Sequence, residues 1–203
     1  MPQNRLKVHI SGMGGQGIGA TSRILTYAAQ LAGLSVISME THGLAQRGGV
    51  VVSDIAIGYD PRESPLCANG EADVVITLEA VESLRSMIKL RKDGVAVVNT
   101  TKYQPLTVRI GKGEVIYPTL DEIKQELKKR TPNVIMVNAD KDARDLGISL
   151  AMNVVLIGAL SANADILPFT PDHLREAIKA KIPKKFVDVN MKAFEKGMQA
   201  KIE

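Results

Sequence analysis

The sequence predicts an α/β fold in which residues 1–203 form one domain, a mostly parallel sheet with helices on both faces. Three observations predict it. Short β-branched runs alternate with helical patterns along the chain, the order that builds βαβ units. A glycine-rich turn, from Ser11 to Gly19, joins the first apolar run to the first helix. Apolar residues make up 45% of the chain but aromatic residues only 3%, with no Trp, so Val, Ile, Leu, Ala and Met must build the core.

The elements follow in order. Residues 7–10 read as a first strand and 18–31 as a helix, with Gly33 placed to terminate it. Residues 35–39 form a second strand. Residues 50–57 are a third, continuous enough in β-branched residues to be buried, and Gly58-Tyr59-Asp60-Pro61 breaks it. A fourth strand spans 73–78, a short helix 80–88 and a fifth strand 94–98. Thr119-Leu120-Asp121-Glu122 is a capping box for a helix running to about Lys129, with acids in its first turn and Lys128 and Lys129 in its last. Residues 134–138 are a sixth strand. Residues 148–161 are apolar on most sides and read as a buried helix. Thr170-Pro171 places an N-cap and a first-turn proline before a helix reaching Lys181. A last amphipathic helix, 190–199, carries Met191, Phe194 and Met198 on one face. The helices from 148 to 203 are expected to pack onto the sheet.

Composition excludes several function classes. One cysteine, Cys67, allows no intramolecular disulfide and cannot furnish a Cys₄ zinc site or iron–sulfur cluster. It reads as a small packed residue rather than a nucleophile, and a reducing, cytoplasmic location is expected. The net charge of +4 is spread over helix C-termini without interleaved aromatics, which argues against nucleic acid as a partner. No apolar run follows Arg5 and Lys7, so no secretory signal is expected, and the most apolar stretch is too short and polar to span a membrane. His9, His42 and His173 lie far apart, with no zinc-site spacing. Asp140, Asp142 and Asp145 are interleaved with Lys141 and Arg144 and read as solvation of a helix entry rather than a magnesium site.

Two segments can carry chemistry. The first holds Gly12, Gly14, Gly15, Gln16 and Gly17. Gly12, Gly14 and Gly17 have the G-x-G-x-x-G spacing, and Glu40 stands 23 residues beyond Gly17, near where a nicotinamide-binding fold holds its ribose hydroxyl. The turn therefore reads locally as a Rossmann-like dinucleotide or phosphate site, with a helix N-terminus aimed at the anion. A tight turn with no ligand, or one lying under a protein partner, remains open. The second segment is Glu40-Thr41-His42-Gly43-Leu44-Ala45-Gln46-Arg47-Gly48-Gly49. It sits where a βαβ unit would place a helix but is too short for one, and it must lie at the carboxyl end of the second strand. Arg47 can contact a carboxylate or phosphate in bidentate fashion, and His42 can titrate near neutrality.

Taken together, Gly12-Met13-Gly14-Gly15-Gln16-Gly17, Ser22, the segment from Glu40 to Gly49, and Ser53 resemble the gamma-type domain of 2-oxoacid:ferredoxin oxidoreductases. The form His-Gly-x-Ala-Gln-Arg-Gly-Gly resembles the indolepyruvate branch, in its beta subunit. The resemblance implies an accessory subunit of an enzyme that oxidatively decarboxylates a 2-oxoacid, forms an acyl-CoA and passes electrons to ferredoxin. It places thiamine diphosphate and the iron–sulfur clusters on partner subunits and leaves this chain inactive alone. It implies that Gly12, Gly14, Gly15, Gln16, Gly17, His42, Arg47, Gly48 and Gly49 face coenzyme A or a neighbouring subunit, with no catalytic and no metal-binding residue. A homodimer of the isolated chain is possible by analogy. The alternatives are a stand-alone NAD(P)-binding dehydrogenase and a structural or ligand-sensing domain.

Overall fold

The computed structural model describes residues 5–42, 49–103, 117–163 and 165–202, with His42 described in its backbone only. Six strands form one sheet in the order β2-β3-β1-β4-β5-β6. They are β1 (Leu6–Met13), β2 (Val36–His42), β3 (Val50–Ile57), β4 (Ala72–Thr77), β5 (Leu90–Asn99) and β6 (Val134–Val137). The helices are α1 (Ile18–Leu31), α2 (Ala80–Ser86), α3 (Leu120–Lys128), α4 (Ala139–Asp145), α5 (Met152–Asn163), α6 (Pro171–Lys181) and α7 (Val187–Gly197).

The sheet is mixed: five strands run one way, as a mostly parallel sheet requires, and β3 alone is reversed. β1, β4, β5 and β6 run parallel. β3 is wedged between β1 and β2 and runs antiparallel to both. The reason is chain length. Only residues 43–49 separate β2 from β3, and a parallel return needs a crossover of about a dozen residues or more. So short a connection can only turn back, and β3 enters the sheet antiparallel beside β2.

One face of the sheet carries Leu6, Val8, Ile10, Ile55, Ile57, Val74, Ile76, Val95, Val97 and Ile135, all buried against α1 and the C-terminal helices. α5 is buried along Met152–Leu160, as its sequence predicts. It begins later than expected because Ser149–Ala151 forms a separate 3₁₀ turn. α7 lies across α5 at very close range. A Cβ on Gly197 would lie 2.8 Å from the Val155 carbonyl carbon and closer still to its oxygen, and one on Gly158 would meet the Phe194 carbonyl in the same way. The other face packs against α2 and α3 through Ala80, Val98, Ile123, Leu127 and Val134. The capping box of Thr119 and Glu122 forms as read, and Thr170 caps α6 through the His173 N–H.

Candidate functional site

β1 delivers the chain to the carboxyl end of the sheet, where Met13 begins a tight turn. The Gln16 N–H donates to the Met13 carbonyl at 3.1 Å, and the Gln16 side-chain oxygen accepts from the Met13 N–H at 2.7 Å. Gln16 therefore folds back into its own turn. Gly12 makes room for it: a Cβ there would lie 2.8 Å from Gln16 Oε1 and 2.9 Å from Leu78 Cβ. Gly15 is exposed at the tip with φ +95° and nothing within 4 Å of a Cβ position, so its backbone angle, rather than crowding, requires glycine.

Gly17 is the N-cap of α1 in the left-handed region, φ 91°. No side chain caps this helix and its first turn carries no acid. The positive end of its dipole is met instead by the Glu40 carboxylate of β2, which lies over Gly19 in that first turn. The Gly17 carbonyl is held from two directions, by Thr21 Oγ1 at 3.1 Å and by Asn153 Nδ2 of α5 at 3.4 Å.

The second segment meets the first. The Gly14 N–H donates to the Gly49 carbonyl at 2.9 Å, and Met13 is paired with Val50 as His42 is with Val51. Gly49, which leads into β3, therefore lies beside the glycine turn. Gly43, Leu44, Ala45, Gln46, Arg47 and Gly48 lie outside the described residues, as does the His42 side chain. Below this junction Ser53 donates to Ser22 at 3.0 Å, both buried. Glu40 lies at the start of α1 rather than at the tip of the glycine turn. Its carboxylate lies over Gly19, 2.9 Å from a Cβ position there that is also 3.3 Å from Arg23 Nη1. β3 separates Glu40's strand from β1, so Glu40 is two strand spacings away, about 9–10 Å, instead of one.

Further polar residues brace the same edge of the sheet. Asn99 donates to the Leu78 carbonyl at 3.1 Å and accepts from the Ala139 N–H at 3.1 Å, tying together the ends of β4, β5 and β6. Glu79 is buried and accepts from Tyr117 Oη, from the Tyr103 N–H at 3.1 Å and from the Glu82 N–H at 3.0 Å. Burial, then the hydrogen bond to Glu79 and its charge, push the Tyr117 hydroxyl well above its ordinary value of 10.0. Sequence reasoning missed Glu79, Asn99 and Asn153. Their one local signal is a polar residue ending or interrupting an apolar run, which does not reveal its partners.

Cys67 is buried, and burial followed by the Asp54 carboxylate pushes its thiol up to about 12. It packs as its sequence context suggests and is no nucleophile at neutral pH. Its N–H donates to Asp54, which also bonds His9 Nδ1 at 2.6 Å in a buried pair. Among the described residues no group of three or more His, Cys, Asp or Glu is placed to hold a metal. Among the same residues no helix is long and apolar enough to cross a membrane.

Residues 7–200 match the family model of pyruvate ferredoxin/flavodoxin oxidoreductase. The chain is 46% identical over 193 residues to the indolepyruvate oxidoreductase subunit IorB of Archaeoglobus fulgidus, covering 95% of this chain and 94% of that one. Among solved structures it resembles the pyruvate oxidoreductase subunit PORC of Thermotoga maritima, with a TM-score of 0.68, 22% identity and coverage of 98% and 97%. It also resembles the 2-oxoglutarate:ferredoxin oxidoreductase of Magnetococcus marinus, solved with 2-oxoglutarate, coenzyme A and succinyl-CoA, with a TM-score of 0.70 and 19% identity. That match takes in 97% of this chain and 31% of the larger one. At these identities the two structures testify to the fold.

Proposed function

We propose, since this chain belongs to the pyruvate ferredoxin/flavodoxin oxidoreductase family as a gamma-type accessory subunit, that it serves an indolepyruvate or other aryl-2-oxoacid enzyme and helps receive coenzyme A. The whole enzyme converts a 2-oxoacid and coenzyme A to an acyl-CoA and carbon dioxide, with the electrons leaving to ferredoxin. Thiamine diphosphate on a partner subunit supplies the decarboxylation, and iron–sulfur clusters there carry the electrons. This chain has one cysteine, buried, so the thiolate ligands for clusters must come from elsewhere.

The observation that carries the proposal is the hydrogen bond from the Gly14 N–H to the Gly49 carbonyl. It sets Gly49, the last residue of the Arg-Gly-Gly motif, beside the glycine turn at the carboxyl end of β1, where open α/β sheets bind ligands. The exposed, side-chain-free tip at Gly15 leaves room for a phosphate to approach backbone N–H groups. In this reading Gly12 and Gln16 shape the turn, Gly14, Gly15 and Gly17 present it, and His42, Arg47, Gly48 and Gly49 form the opposite wall, with Arg47 contacting the anion. The indolepyruvate assignment rests on the 46% identity to a subunit of that name.

The test is co-expression with the thiamine-bearing subunit and an assay of 2-oxoacid-dependent dye reduction. The complex is expected to prefer indolepyruvate or phenylpyruvate to pyruvate, and the isolated chain to be inactive. Arg47→Ala is expected to raise the KM for coenzyme A tenfold or more with kcat little changed. An unchanged KM for coenzyme A removes Arg47 from the site, and equal turnover of pyruvate removes the aryl assignment.

A further inference from the structure

α5 is buried and apolar along most of its length, yet its second residue is an asparagine, and Asn153 is 3% exposed. A buried amide costs stability unless it is hydrogen-bonded, so its partners say what it is for. Asn153 has two. Its Oδ1 accepts from the Val154 N–H at 3.0 Å, which turns Nδ2 the other way. Nδ2 donates to the Gly17 carbonyl at 3.4 Å, across 136 residues of chain. Gly17 makes room for it: a Cβ there would lie 3.2 Å from Asn153 Nδ2 and 3.7 Å from its Cγ. The start of α5 is itself fastened to the sheet. Met152 Sδ accepts from Asn99 Nδ2 at 3.7 Å, and Asn99 ties together the ends of β4, β5 and β6.

We infer, building on the proposed coenzyme A site, that Asn153 is a positioning residue for that site and acts on it through Gly17. The Gly17 carbonyl does not need Asn153 to be satisfied. The Thr21 N–H at 3.0 Å and Thr21 Oγ1 at 3.1 Å already supply donors for its two lone pairs. Asn153 is the outermost of the three donors, and what it adds is direction. Thr21 belongs to α1 and moves with it, whereas Asn153 ties the same oxygen to a different helix. The peptide after Gly17 is planar and trans, so a carbonyl drawn toward α5 sends the Ile18 N–H to the opposite side. Gly17 sits at φ 91°, and a glycine backbone is the freest to swing. Holding this one peptide from outside fixes how the turn from Met13 to Gly17 meets α1. It thereby fixes where the turn presents its N–H groups. The support is rigid: α5 is buried along Met152–Leu160, and Gly158 lets it close on the Phe194 carbonyl of α7. A binding turn braced by a packed helix keeps its geometry better than one held by loop contacts alone.

Asn153→Asp and Asn153→Leu test it. Both remove the Nδ2 donor at nearly constant size. Asp keeps an acceptor for the Val154 N–H, and Leu does not. In the full chain, both are expected to speed hydrogen exchange at the Thr21 N–H, which shares the Gly17 carbonyl, by about threefold or more. Far-UV circular dichroism should not change. In the co-expressed complex, both are expected to raise the KM for coenzyme A by about threefold or more with kcat little changed. Unchanged Thr21 exchange in Asn153→Asp overturns the inference, whatever the coenzyme A dependence does. An effect confined to Asn153→Leu also overturns it, because the amide then serves α5 and not the turn. So does a lowered kcat with an unchanged KM, or an unchanged KM in both variants where Arg47→Ala raises it. If Arg47→Ala leaves the KM unchanged as well, the coenzyme A reading has failed and the role of Asn153 in binding falls with it. Thr21 exchange then separately reports whether Asn153 holds the turn.

Discussion

Gly12→Ala tests how the glycine turn is built. The new Cβ would stand 2.8 Å from Gln16 Oε1 and 2.9 Å from Leu78 Cβ, against ordinary contacts of 3.4–4 Å. Two costs follow. Gln16 must withdraw its oxygen from the Met13 N–H, in a residue that is 4% exposed, and an unsatisfied buried donor costs about 1–3 kcal/mol. Leu78 is the first residue beyond β4, and its Cβ cannot rotate away, so β1 and β4 must spread locally, an overpacking cost of about 1–3 kcal/mol. Gly12→Ala is therefore expected to destabilise by about 2–6 kcal/mol. Gln16→Ala incurs the first cost alone. In the double variant the first cost is counted once, so the two substitutions should couple by about 1–2 kcal/mol. Gly15→Ala is the control: its penalty of about 1–2 kcal/mol is backbone strain at φ +95° with no steric contact, and it should add to Gln16→Ala. Urea unfolding of the three single and two double variants gives the two cycles. Additivity of Gly12→Ala with Gln16→Ala within about 0.5 kcal/mol would refute the reasoning, because Gly12 would then serve something other than the Gln16 side chain.

Three other outcomes are expected. Gly158→Ala and Gly197→Ala should each destabilise by about 1–3 kcal/mol despite a helix propensity gain of about 1 kcal/mol. Their double variant should cost less than the sum in thermal unfolding, because one separation of α5 from α7 relieves both contacts; wild-type stability in either single variant rejects this. Burial opposes ionisation of Asp54, but the hydrogen bond and charge of His9 outweigh it and hold the carboxyl below 3.8. A depressed carboxyl contributes stability above the unfolded value of about 4 that is lost as pH falls through the folded value. Asp54→Asn should therefore be less stable at pH 7 and lose less on acidification below pH 4; identical pH slopes would remove the pair from the account. Glu79→Gln should lower the Tyr117 titration toward 10, read as ultraviolet absorbance against pH with Tyr117→Phe to assign the step. An unmoved step would leave burial, the larger cause, as the whole of it.

The sequence made most elements legible because each is written locally. α1 and β3 occupy the residues their patterns predict, and the capping pairs at Thr119 and Thr170 fix two helix starts within a residue. What escaped is written between distant residues. Nothing near Gly158 says that the Phe194 carbonyl will lie against it, and nothing near Asn153 says that it will reach Gly17. The order of strands escaped for a different reason. Seven residues between β2 and β3 are too few for a crossover, so the signal was present. Alternation of strand and helix elsewhere in the chain outweighed it.

That antiparallel return also decides what the glycine turn can be. In a dinucleotide-binding sheet the second strand lies beside the first, and its terminal acid reaches the ribose of a ligand held on the first turn. Here β3 takes that place, so Glu40 sits a strand further out, over Gly19 and close to Arg23. The neighbour of the turn is instead the chain leaving β2 for β3, fastened to it by Gly14 and Gly49. The same local spacing of glycines therefore has Gly49 and the start of β3 beside it. An acid selects for a hydroxyl donor, whereas the proposed contact of Arg47 selects for an anion. On the proposed function, substituting either Gly14 or Gly49, which are bonded to each other, should perturb the same coenzyme A dependence as Arg47→Ala.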